Sequence, residues 1–180
     1  MARSLAMATR GKQVGTEKLS YLAGMLDADG CISISKMKAG KQRTANPRYV
    51  LGLNVTNTSL SLMNWLIEHF GGRYKARKQL LPHHKITYSW FYENGKAAEV
   101  LRLVKPFLVI KEKQASVGIE LVDGWKTPTG GQGAQTSKEE IERREGLWLL
   151  MKALNQTGCA AATTNSPSSF STPEKDDVIV

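Results

Sequence analysis

Hydrophobic positions along the chain change period several times, and each change marks an expected element. Leu19, Leu22 and Leu26 recur at helical spacing behind Thr16, a residue suited to cap a helix, which predicts a helix over 16–28. On another side of that helix Ser20, Gly24 and Ala28 fall every fourth residue, a ridge low enough for a second helix to approach closely, from this chain or another. Gly24 in a helix interior costs about 1 kcal/mol relative to Ala, so a close approach there has something to offset. From 31 the period drops to two. Ile32 and Ile34 oppose Ser33 and Ser35 in a strand over 31–38, and Lys36 and Lys38 share the isoleucines' parity, so the strand is expected to leave the core or bulge near Ser35. A basic turn over 39–47 leads to a strand over 48–56, with Tyr49, Leu51, Leu53 and Val55 inward and Arg48, Gly52 and Asn54 outward.

A helix over 59–69 follows, stopped at Gly71-Gly72. A second pair of strands, 73–80 and 85–92, joins around Pro82-His83-His84, where the two histidines read as a loop feature rather than metal ligands. Helices are expected over 96–104 and 107–122, separated by Pro106, and over 137–154, where Ser137 and Glu140 form a capping box. The order α-ββ-α-ββ-α-α-α predicts an α+β fold in which helices back one four-stranded antiparallel sheet. Its inner face is aliphatic and aromatic. Its outer face is Ser, Thr, Asn, Lys and Arg, with Phe91 the one large apolar exception.

Length suits one domain, expected over 16–155 between a flexible basic arm (1–15) and a mobile Ser/Thr/Ala-rich tail (156–180), with a Gly/Thr linker over 126–136. No window approaches the roughly 18 apolar residues of a membrane-spanning helix. Arg3, Arg10 and Lys12 near the start are not followed by the apolar run of a secretory signal. Cys31 and Cys159 are too few for a disulfide framework or a zinc site, so a reducing, intracellular setting is expected.

Charge sharpens this picture. The chain carries 25 Lys and Arg against 16 Asp and Glu. Residues 31–92 alone hold ten of those cations and a single acid, Glu68, which equals the net charge of +9 of the whole protein. A basic soluble protein need not concentrate its charge; a polyanion-binding face does, and nucleic acid is the expected partner.

The nonapeptide Leu22-Ala23-Gly24-Met25-Leu26-Asp27-Ala28-Asp29-Gly30 closely resembles the signature of the LAGLIDADG homing endonucleases, matching seven of nine positions, with Met25 and Leu26 as apolar replacements. The element order and the run Pro106-Phe107-Leu108-Val109-Ile110-Lys111-Glu112-Lys113-Gln114-Ala115 extend the resemblance over about 16–125. It implies a site-specific DNA endonuclease that makes a metal-dependent double-strand break, with 3′ overhangs, in a long, near-palindromic target. Asp29 corresponds to the acid that binds the catalytic metal, with the Ala28 carbonyl as a neighbouring ligand. Hard oxygens there favour Mg²⁺, or another divalent cation such as Mn²⁺. A carboxylate at a helix C-terminus meets the negative end of the dipole, which a cation would relieve. Lys111 resembles the family's active-site lysine, and Asn57 stands where a polar residue, often Gln, positions water. Ser61 departs from relatives that carry an Arg there. Asp27 is expected to be structural.

One chain carries one motif, and cleavage of two strands needs two acidic centres, so the resemblance implies a homodimer packed through Ser20, Ala23, Gly24 and Ala28. The sheet would then follow the major groove of double-stranded DNA, with Ser33, Ser35, Lys36, Lys38, Lys41, Arg43, Arg48, Asn54, Arg73, Lys75, Arg77, Lys85, Thr87 and Ser89 as candidate contacts. Two alternatives compete. A degenerate relative, an intron RNA-splicing maturase or a transcription factor, would keep the basic sheet but has no use for an acid facing phosphate; host-intron RNA stays a possible additional partner. An unrelated basic α+β ligand-binding protein would make the nonapeptide a coincidence.

Overall fold

The computed structural model describes residues 14–37, 46–77, 85–125 and 136–156. Helix α1 (Thr16–Ala28) leads into β1 (Gly30–Met37) and β2 (Arg48–Asn57), helix α2 (Leu60–Phe70), then β3 (Arg73–Arg77) and β4 (Thr87–Glu93). Helices α3 (Asn94–Val104), α4 (Glu112–Asp123) and α5 (Lys138–Gln156) complete the chain, with a 3₁₀ turn over Lys105–Phe107 before α4. The fold is α+β, one antiparallel sheet in the order β1-β2-β4-β3. The two hairpins therefore meet through their second strands, β2 against β4. Residues 1–13 of the basic arm, the hairpin turns over 38–45 and 78–84 with the histidine pair, 126–135 of the Gly/Thr linker and 157–180 of the tail lie outside the described residues. No helix among the described residues is long and apolar enough to cross a membrane.

One sheet face makes the core. Ile32 and Ile34 of β1, Tyr49, Leu51, Leu53 and Val55 of β2, and Trp90 of β4 are buried against Leu22, Leu26, Leu66, Leu101 and Leu121 from the helices. At the far edge, Gly71 and Gly72 take left-handed conformations (φ 76° and 85°) that let α2 turn sharply into β3. Trp90 Nε1 then donates to the Gly71 carbonyl at 2.8 Å and Tyr92 Oη to that of Phe70 at 2.9 Å, so one buried and one half-buried aromatic satisfy the helix end as well as filling space.

Several expectations change. Thr16 does not cap α1; Gly15 occupies that position without a side-chain hydrogen bond. Strand β1 does not bulge, because its ladder runs unbroken to Met37 opposite Arg48, but it does leave the core near Ser35: Ile34 is its last buried residue, and Ser35, Lys36 and Met37 are exposed. Helix α5 meets this exposed end: its Glu145 pairs with Lys36 at 2.7 Å, and the Trp148 ring lies 5.0 Å from the same ammonium. Tyr49 also donates to Glu145, and burial with that carboxylate nearby pushes its phenol pKa up. The expected single helix over 107–122 is instead a 3₁₀ turn, an irregular stretch over 108–111, and α4. Only half of the capping box forms: Ser137 Oγ accepts from Glu140 N at 3.3 Å, but the Glu140 carboxylate turns to Arg143 and Arg144.

Two predictions follow from these contacts. A Cβ at Gly30 would stand 2.6 Å from the Leu26 Cα and 2.9 Å from its carbonyl oxygen, so Gly30→Ala forces backbone apart where α1 meets β1. We expect a loss of about 1–3 kcal/mol in urea denaturation, and an unchanged midpoint would contradict that close approach. The Arg143 hydrogen bonds, opposed by burial and joined by those of Arg144, hold the Glu140 carboxyl at about 2 against an ordinary 4.5. A depressed carboxyl stabilises the fold above its unfolded pKa and ceases to as pH falls toward the folded value. Glu140→Gln should therefore flatten the loss of stability between pH 4.5 and 2, measured by urea titration at stepped pH.

Candidate active site and nucleic-acid interface

Helix α1 ends where its last carbonyls have no intrahelical partner. Asp29 closes it in a right-handed conformation, its N–H bonded to Met25 O at 2.9 Å, and Gly30 starts β1 at once. No left-handed residue turns back to cap the helix. Lys111 does so from the irregular stretch before α4. Its ammonium donates to the carbonyls of Leu26 at 2.6 Å, Asp27 at 2.9 Å and Gly30 at 2.9 Å. Asp27 answers in the opposite direction, accepting from Val109 N at 2.8 Å and Lys111 N at 2.9 Å. Burial would raise the Asp27 pKa, but those N–H groups and the Lys111 charge hold it below the ordinary carboxylate value.

Asp29 takes no part in this exchange and is exposed. The β1–β2 ladder ends with Gly30 opposite Val55, so Asp29 stands one step past it, at the rim of the sheet. Among the described residues no side chain donates to the Ala28 carbonyl, the next oxygen along. Asn57, at the end of β2, uses its Oδ1 to accept from Ser59 N at 2.9 Å, the turn that opens α2. A carboxylate and a carbonyl are the hard donors that Mg²⁺ or Mn²⁺ takes, commonly with waters and substrate phosphate completing the shell. The donor set fits such an ion only in that shared form, because the described residues contain no group of three or more His, Cys, Asp or Glu able to hold a metal.

The outer face follows from register. Cys31, Asn54, Phe91 and Arg73 make one row across the four strands; Thr56, Ser89 and Lys75 make the next; Thr87 and Arg77 lie beyond. Toward the other end come Ser33 with Gly52 and Glu93, then Ser35 with Val50, then Met37 with Arg48. Thr56 and Ser89 are hydrogen-bonded at 3.1 Å. Phe91 lies on this face, with Arg73 4.8 Å and Lys75 5.2 Å from its ring centroid. Val50 and Met37 add apolar surface that the sequence reading did not assign to this face.

Several cations away from the outer face are held in ion pairs. Lys96 pairs with Glu99, Arg102 with Asp123, Arg143 and Arg144 with Glu140, and Lys36 with Glu145. Among the described residues Arg48, Arg73, Lys75, Arg77 and Lys85 have no acidic partner, and all five are exposed. Their field is left for an external anion. Lys36, expected among these contacts, is a correction: it points to the helix side and is engaged by Glu145. Lys38, Lys41 and Arg43 lie outside the described residues.

The ridge on α1 is open. Ser20, Gly24 and Ala28 are exposed beside Tyr21, and a Cβ on Gly24 would meet nothing within 4 Å. Ala23, expected with them, is fully buried in the chain's own core, since it lies about 100° around the helix from Gly24, on the flank it shares with Leu22 and Leu26. The part of the site that sequence reasoning missed is the double exchange between Asp27 and Lys111. Its only signal was an acid at a helix C-terminus, where an acid is unfavourable unless something holds it.

The sequence profile of the LAGLIDADG endonuclease family matches residues 22–115. Among solved structures, the homing endonuclease I-CvuI bound to its target is 16% identical, with a TM-score of 0.57 over 86% of this chain and 87% of that one. The archaeal intron-encoded homing endonuclease I-Vdi141I complexed with DNA is 20% identical, with a TM-score of 0.61 over 79% of this chain and 86% of that one. No curated protein matches. The profile spans more than half of the chain and takes in both Asp29 and Lys111, so this chain belongs to the LAGLIDADG endonuclease family.

Proposed function

We propose that the chain is a homing endonuclease, acting within the cell as a homodimer on a long, near-palindromic DNA duplex and leaving 3′ overhangs. The observation that carries this reading is an exposed carboxylate, Asp29, at the rim of a sheet face whose cations have no acidic partners within the described residues. A duplex laid along that face brings its phosphates to Arg48, Arg73, Lys75 and Arg77, while Ser33, Asn54, Thr87 and Ser89 stand at positions suited to base edges. The origin within an intron that the name of I-Vdi141I states is extended here to this chain.

Asp29 and the Ala28 carbonyl would hold a divalent cation. When bound, such an ion supplies a more acidic water and several kcal/mol of charge stabilisation at the phosphate. The chain's own contribution is placement. Unpaired cations fix the backbone over the rim, and Asn57, its Oδ1 engaged by Ser59 N–H, keeps its amide N–H groups to orient water. Each chain brings one Asp29, and two strands require two. A two-fold axis through the open α1 ridge supplies the second and accounts for a near-palindromic site.

Asp29→Asn should lower single-turnover cleavage by about 10³-fold or more while changing affinity for a selected duplex only a few-fold. Cleavage by the wild-type protein in excess chelator would sink the metal assignment. The ridge gives a test with opposed signs. Gly24→Ala adds a methyl to open space in one chain and improves helix propensity, so at concentrations where the chain is monomeric it should stabilise by about 1 kcal/mol. Across a tight helix–helix contact the same methyl should weaken self-association by about tenfold, read by sedimentation. Undiminished association would remove α1 as the interface.

A further inference from the structure

We infer that Lys111 is a positioning residue for the metal-holding turn at 28–29 and does not itself meet the phosphate. This rests on the reading that Asp29 holds a divalent cation. An ammonium has three N–H groups, and Lys111 directs all three to backbone carbonyls, those of Leu26, Asp27 and Gly30. None is left over for a phosphate oxygen or a water. Reaching outward would strip partners from partly buried carbonyls, at a cost of about 1–3 kcal/mol for each one left unsatisfied.

The choice of carbonyls matters more than their number. Two lie just before the Ala28-Asp29 pair and one just after it. The ammonium thus ties the last turn of α1 to the first residue of β1 and omits the Ala28 oxygen, the one beside the metal-holding carboxylate. Positive charge at this helix terminus also offsets the dipole that Asp29 would otherwise face alone. In return, the Asp27 carboxylate fixes the Val109 and Lys111 amides and so sets the base from which the lysine reaches back. Each half of the brace locates the other. A residue that holds a ligand's backbone in this way is expected to alter metal affinity by about 10–100-fold when removed.

The test uses the full-length protein bound to a duplex selected by the wild type, with Ca²⁺ as the probe in calorimetric titration and Mg²⁺ in cleavage. Lys111→Met, at a temperature where circular dichroism shows the native helix content, should weaken Ca²⁺ binding about 10–100-fold. Its cleavage defect should shrink as Mg²⁺ is raised to saturation. Should that variant fail to fold, Lys111→Arg serves instead. It keeps the charge, but its planar fork does not converge three donors on one point, so the same loss of Ca²⁺ affinity is expected. Unchanged Ca²⁺ affinity with a cleavage defect that persists at saturating Mg²⁺ overturns the inference in favour of direct contact with the phosphate. A lowered melting temperature with normal Ca²⁺ affinity and normal Mg²⁺ dependence overturns it in favour of a purely structural lysine. An Asp29→Asn chain that binds Ca²⁺ as tightly as wild type overturns it too, and marks the metal assignment as what failed.

Discussion

The exchange between Asp27 and Lys111 is the constraint on which the site depends. A helix that ends in a left-handed residue satisfies its own last carbonyls, but α1 does not end that way, because the chain must pass from Asp29 straight into β1. Its carbonyls therefore wait for a donor from elsewhere. That donor arrives more than eighty residues later, on a segment that has the mirror problem. The amides of Val109 and Lys111 precede α4 and have no helical partner, and Lys111 occupies the N-cap of that helix without a capping side chain of its own. Each element ends where the other supplies what it lacks. The N–H groups of one and the C=O groups of the other are paired through two oppositely charged side chains, so neither end carries a buried orphan.

This brace explains why the run over 107–122 does not form one helix. An apolar period is present, yet the helix begins only at Glu112. A helical first turn over 108–111 would aim the Val109 and Lys111 amides along its own axis, away from Asp27. Two charge-assisted hydrogen bonds and three lysine contacts outweigh the small propensity gain of another helical turn.

Period and parity carried most of the architecture. The alternation over 48–56 assigned the inner face of β2 correctly, and the Gly71-Gly72 stop fell where the chain turns. What parity could not reveal was what lies beneath a polar inward residue. Lys36 shares the isoleucines' parity past the edge of the core, and its ammonium is met there by Glu145, from more than a hundred residues away. An ion pair between distant elements leaves no local signal. The same holds for Lys111. A lysine within a short run reads as an outward charge, and only the fold shows it turned back onto carbonyls. Ala23 failed for a different reason. The dimer ridge was read as small residues, but smallness at 23 serves the core, and the 100° step between neighbours turns it away from Gly24 onto the buried flank.

That angular step also accounts for the specificity of the nonapeptide. Four consecutive residues are sent in four directions. Leu26 enters the core, Asp27 faces the segment before α4, Ala28 lies on the open ridge, and Asp29 reaches the rim of the basic sheet. Gly30 then tolerates the close backbone of Leu26, which no side chain there would allow. Insertion or loss of one residue in this stretch would rotate every role by about 100° at once, sending a carboxylate toward the core and a leucine toward solvent. The four functions are set by a single helical phase and do not vary independently. A sequence that keeps the phase keeps the core, the brace, the ridge and the exposed acid together, so a change at any one of these positions is felt at the others.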